Sequence, residues 1–348
     1  MNTSKMSSLP LLRHAQIAAL GFGLVWLALP FGTPRAGAAD TESAKGAPAP
    51  VILDTDIGGD IDDTWALGLL LKSPELDLKL VVGDAGQAGY RARVLARFLE
   101  RVGRSDVPVG VGLDIEPRGE GGQAAWVKGY ELKSYPGKVY ADGVQALIDT
   151  IMNSKQPVTL ICIGPMPNIA AALGREPRIA QRARFVGMYG SVRIGYGGKP
   201  PPAPEWNVKG DPKACQAAFT APWDMTITPL DTCGVVALTG DKYRRVRDSK
   251  DPIAAAIIAN YRVWAAADKN LPAHFADERS STLFDTVAIY LATRPDLCVI
   301  EKLGLRVTDD GFTIIDPQAK QVNAATSWKD LGRYEDWIEE RLTGKQRE

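Results

Sequence analysis

The chain has 348 residues, 45% hydrophobic and 24% charged, with 41 basic and 41 acidic side chains in formal balance. That length supports a large single domain with a sizeable core. Nothing in this balance of charge points to a nucleic-acid-binding surface.

The first residues read as an export signal. Lys5 and Arg13 make a basic start, residues 17–31 are apolar and uncharged, and Ala36-Gly-Ala38 offers a small-residue cleavage pattern before Ala39-Asp40. The apolar run is short for a spanning helix, and no cysteine stands near the cleavage site to accept lipid. No stable membrane anchor is therefore expected after cleavage, and the protein is expected to be exported, periplasmic or secreted. Cleavage at Ala38 removes Lys5, Arg13 and Arg35 but no acid, which leaves a net charge of −3. Residues 39–50 read as a flexible leader and residues 51–348 as one catalytic domain.

Residues 51–53 form a short apolar run, as in a buried parallel strand. Directly after it come five aspartates in ten residues, Asp54-Thr-Asp56-Ile-Gly58-Gly59-Asp60-Ile-Asp62-Asp63, and then a helical stretch from Thr64. The carboxylates thus lie at a strand-to-helix turn, where open α/β sheets place their ligands. Helix capping needs one such side chain, not five. Like charges this dense repel unless a cation joins them or some stay protonated. All the donors are oxygens, which suits Ca2+ or Mg2+, and the adaptable glycine-rich turn favours Ca2+.

Further along, residues 78–82 read as a second strand, 92–102 as an amphipathic helix and 107–111 as a third strand. Residues 145–153 read as a helix, 158–163 as a strand, 168–173 as the start of another helix and 185–188 as a strand. Strands alternating with helices imply an α/β protein with an open, mostly parallel, Rossmann-like sheet flanked by helices. Residues 190–206, rich in glycine and proline, read as an ordered functional loop ending in Glu205-Trp206-Asn207. None of the four cysteines, Cys162, Cys215, Cys233 and Cys298, forms a C-x-x-C pair, which argues against a zinc or thioredoxin motif.

In this order the motifs resemble the inosine–uridine preferring nucleoside hydrolase family over roughly residues 50–340. The resemblance rests on the aspartate motif, Val82-Gly83-Asp84, Ile163-Gly164-Pro165 with Asn168, Met188-Tyr-Gly190, Glu205-Trp206-Asn207 with Asp211-Pro212, and Phe284-Asp285. It implies Ca2+ held by Asp54, Asp63, the Ile163 carbonyl and Asp285, with sugar hydroxyls completing the shell. Asp62, Glu205 and Asn207 are expected to hold the ribose, and Asp84 stands where the family often has an asparagine beside it. Asp54 is expected to act as general base toward water attacking the N-glycosidic bond of a nucleoside, with inversion at the sugar. The family also implies a homodimer or homotetramer.

The chain departs from the family where a histidine usually precedes the distal metal aspartate, because Phe284 is there. His14 leaves with the signal, so His274 is the remaining candidate for leaving-group acid. Stacking of the base on Trp264, Tyr261, Trp206 or Tyr196 is the alternative route, with Trp264 also suited to core packing. A family asparagine in the loop before the ribose-binding acid is also absent, with Lys199 near that position, and Lys199 or Arg193 could instead contact a 5′ substituent. Two other readings compete: a haloacid-dehalogenase-type phosphatase using Asp54-Thr-Asp56 with Mg2+, and an exported protein that binds nucleosides without turnover.

Overall fold

In the computed structural model, residues 47–115 and 119–344 are described, and they belong to one compact unit. The expected signal peptide, His14 and most of the leader lie outside the described residues. The described chain contains ten strands: β1 (Ala49–Thr55), β2 (Leu76–Gly83), β3 (Val109–Val111), β4 (Val139–Tyr140), β5 (Val158–Cys162), β6 (Ala183–Met188), β7 (Met225–Thr228), β8 (Cys298–Val307), β9 (Thr313–Ile315) and β10 (Gln321–Trp328). They form one sheet in the order β4-β3-β2-β1-β5-β6-β7-β10-β8-β9. Every neighbouring pair from β4 to β10 is parallel, while β10–β8 and β8–β9 are antiparallel. The open, mostly parallel α/β sheet is as expected. The first strand starts at Ala49, two residues inside the segment expected to be leader.

The order reverses direction between β1 and β5, so a crevice opens at the carboxyl ends of these two central strands. Side chains alternate across β1, as strand geometry requires. Val51 and Leu53 enter one apolar layer with the helices Asp62–Leu71, Ala88–Arg101, Pro252–Ala267 and Thr286–Thr293. Ile52 enters the opposite layer with Gly143–Asn153, Pro167–Arg175 and Pro212–Thr220. The same alternation sends Asp54 and Thr55 to different faces, which later decides their roles.

All four cysteines are buried and unpaired. Among the described residues no helix is long and apolar enough to cross a membrane.

Candidate active site

The turn after β1 is shaped by its own backbone. Gly58 has φ +105°, a conformation L side chains rarely adopt, and a Cβ there would strike the Tyr90 ring at 2.7 Å. Tyr90 donates its hydroxyl proton to the Gly58 carbonyl at 3.0 Å. On the other side of the crevice, a Cβ on Gly164 would sit 2.6 Å from Asp84 Oδ1 and 2.7 Å from the Asp56 nitrogen. Glycine at 164 lets the segment after β5 close on the turn after β1.

Asp62 and Asp63 occupy the first turn of the helix Asp62–Leu71, and Asp285 immediately precedes Thr286–Thr293. These two helices pack against each other. Their N-terminal ends therefore bring three buried carboxylates together, with one oxygen of each within 4.8 Å of the others. The positive ends of both helices favour negative charge at this point. Thr55 donates its hydroxyl to Asp63 Oδ1 at 2.5 Å, and the Asp285 backbone N–H reaches Asp62 Oδ2 at 3.4 Å. Burial, followed by the charge of neighbouring aspartates, pushes all three acids well above the ordinary carboxylate range.

The trio opens into a cavity of about 440 Å3, a size typical of small-molecule sites. Asp56, Asp60, Asp62, Asp63, Asp285 and Glu205 give it an acidic wall, joined by Ile163 and Asn207. Its aromatic side is Tyr90, Tyr196, Trp206 and Phe284. Tyr196 and Trp206 are about half exposed at the mouth, at 47% and 50%.

The structure separates several expected site residues. Asp54 does not line the cavity. It points to the face opposite Thr55, where its Oδ2 accepts from Asn168 Nδ2 at 2.8 Å and its carboxyl lies beside that of Asp84. Burial raises its carboxyl to about 6. Asp84 is likewise sealed beneath the wall, beside Asp54, and burial and the Asp54 charge hold it well above the ordinary range. Only its neighbours Ala85 and Gly86 reach the cavity. Asp62, expected at the sugar, stands in the carboxylate trio.

His274 is exposed and does not line the cavity. Of the next two residues, Phe275 packs edge-on against Tyr261, and Ala276 is buried. Trp264 is also off the wall. It stacks on Tyr261 at 5.7 Å between ring centroids and lies against Gly122, so it supports the neighbouring loop. Arg193 forms a two-pronged exposed ion pair with Glu301, and neither it nor Lys199 borders the cavity.

Ile163, Glu205 and Asn207 do converge on the cavity. Asn207 Nδ2 donates to the carbonyls of Ile163 and Met188 at 3.2 and 3.1 Å. Glu205 caps its short helix by accepting from the backbone N–H groups of Asn207, Val208 and Gly190. Burial nevertheless raises Glu205 from 4.5 to about 7. A raised acid favours the folded state fully below its unfolded pKa, and that contribution is lost as pH rises from 4.5 toward about 7. Glu205→Gln cannot titrate, so its melting temperature should vary less with pH across that window. An unaltered slope in a thermal-melt series would contradict this assignment.

Two residues of the site carried no assigned role in the sequence. Asn168 bonds Asp54, and also reaches the Gly83 carbonyl at 3.3 Å and accepts from Leu113 N–H at 2.8 Å. Its place after Ile163-Gly164-Pro165 was the available signal. Arg91 donates to the carbonyls of Ala85 and Ile57 at 2.6 and 2.9 Å and lies 3.9 Å from Asp56. It ties the turns after β1 and β2 together, and nothing in its local sequence marked it.

Known proteins resemble this chain along most of its length. The family described as inosine-uridine preferring nucleoside hydrolase matches residues 51–333. Over 226 residues the chain is 31% identical to the pyrimidine-specific ribonucleoside hydrolase RihA of Salmonella arizonae, covering 60% of this chain and 68% of that one. It is 29% identical over 295 residues to the non-specific ribonucleoside hydrolase RihC of Klebsiella pneumoniae, covering 78% and 89%. Among solved structures, the plant nucleoside hydrolase PpNRh1 superposes with a TM-score of 0.71 at 24% identity, over 86% of this chain and all of that one. This last likeness speaks to the fold alone.

Proposed function

The chain belongs to the inosine-uridine preferring nucleoside hydrolase family, and on that premise we propose that it hydrolyses the N-glycosidic bond of ribonucleosides, releasing base and ribose, with Ca2+ as cofactor. The observation that carries this reading is the trio Asp62, Asp63 and Asp285 opening into the cavity at the sheet's switch point. The phosphatase reading has no support in the family match.

The donor set fits a hard divalent cation. It consists of three buried carboxylates with oxygen donors only, held at two helix N-termini. Asp62, Asp63 and Asp285 would hold the ion, with the Ile163 carbonyl on the same wall. When bound, it supplies positive charge that acidifies water and fixes sugar hydroxyls. Asp56 lies on the wall, and its charge raises the acids of the trio. We therefore assign it, rather than the sealed Asp54, the task of taking the proton from attacking water. Asp54 positions Asn168 underneath. Asp62, Glu205 and Asn207 border the space for the ribose and would hold its hydroxyls so that water meets the anomeric carbon from the face opposite the base.

Export is proposed on the pattern of residues 1–38, and a homodimer or homotetramer on the family resemblance. The test of the activity is ribose formation from a panel of purine and pyrimidine nucleosides by the protein lacking residues 1–38. Ribose release supports hydrolysis. Nucleoside binding without ribose release would support the binding-protein reading instead.

A further inference from the structure

We propose that the Tyr196 phenol donates a hydrogen bond to the departing nucleobase, the task for which this chain has no histidine beside Asp285. The proposal rests on the nucleoside-hydrolase reading of the cavity.

Among the described residues, the cavity wall carries two hydroxyl groups, those of Tyr90 and Tyr196. Tyr90 spends its proton on the Gly58 carbonyl. Tyr196 is arranged the other way: its oxygen accepts from the Trp206 backbone N–H at 2.8 Å. The phenol proton is left to be given, and the tether fixes where the oxygen sits. The ring stands edge-on to Phe284, with centroids 6.2 Å apart and planes at 80°. Phe284 immediately precedes Asp285 of the trio, so this contact sets Tyr196 beside the acidic floor while its other edge stays open at the mouth. Burial, followed by the Glu205 charge, pushes the phenol above its ordinary range and keeps it protonated at neutral pH. The backbone holding the loop is itself anchored, since the N–H groups of Val192 and Arg193 donate to the Asp231 carboxylate at 2.9 Å.

The chemistry balances without a further reactant. Water adds its hydroxyl to the anomeric carbon and gives its proton to Asp56. The C–N electron pair passes onto the base nitrogen, and the base ends protonated through solvent. Tyr196 keeps its proton and stabilises the charge that develops on the base.

The experiment compares Tyr196→Phe with the unaltered protein on uridine and inosine and on 4-nitrophenyl β-D-ribofuranoside, whose leaving group needs no hydrogen bond. Tyr196→Phe keeps the ring and its Phe284 contact. The expected result is a fall of about 10²-fold in kcat on the nucleosides with less than about a threefold change on the nitrophenyl riboside. An equal fall on both substrates would assign Tyr196 only a structural role through Trp206, and no fall on either would remove it from catalysis. Both results overturn the proposal. If the unaltered protein turns over neither substrate, the nucleoside-hydrolase reading itself fails and takes the proposal with it.

Discussion

Asp56→Asn should lower the rate of ribose formation by about 10²–10⁴-fold, the range for losing a positioned general base. The substitution keeps the shape of the side chain and removes its ability to take a proton. Asp56 lies on the cavity wall with Arg91 at 3.9 Å, so it is both accessible to water and held in place. Asp54→Asn is the control, because Asp54 is sealed below and works through Asn168. Steady-state kinetics should show a far smaller loss of kcat for Asp54→Asn than for Asp56→Asn. The reverse order would return the base to Asp54.

Removing divalent cation should stop turnover and destabilise the protein together. Asp62, Asp63 and Asp285 are buried side by side, and like charges so placed are costly without a counter-charge. A ligand that binds only the folded state at 100 times its Kd adds about 2.7 kcal/mol of stability. Thermal melts before and after chelation should therefore differ, and returning Ca2+ should restore both the melting temperature and ribose release. Asp285→Asn should reduce the Ca2+-induced rise in melting temperature. Full activity in chelator, with metal analysis showing none bound, would contradict the cation site.

The parallel half of the sheet was legible because its strands are short apolar runs separated by helical stretches. The C-terminal strands were not. Residues in β8 alternate irregularly between buried and exposed, since it pairs antiparallel toward an edge and lacks the continuous apolar signature. The acidic cluster was legible from charge repulsion, but which aspartate faces substrate was not. That choice depends on the strand's alternation: Asp54 is still within β1, opposite Val82 and Cys162, and turns toward Asn168, while Asp56 lies past the strand's end. His274 stood out through its nearness in sequence to Asp285, but its side chain is exposed and does not line the cavity. Tyr196 was legible only as one of several aromatics. Its role depends on a tether to Trp206 that no local pattern encodes.

Hydrolysis of a riboside by water within this cavity is open to direct observation. Proton NMR of uridine or inosine mixed with the Ca2+-loaded protein follows it most directly. Equal amounts of base and free ribose are expected, the α anomer appearing first because water meets the face opposite the β-linked base. An unchanged nucleoside spectrum, from protein shown to hold the cation, would contradict it.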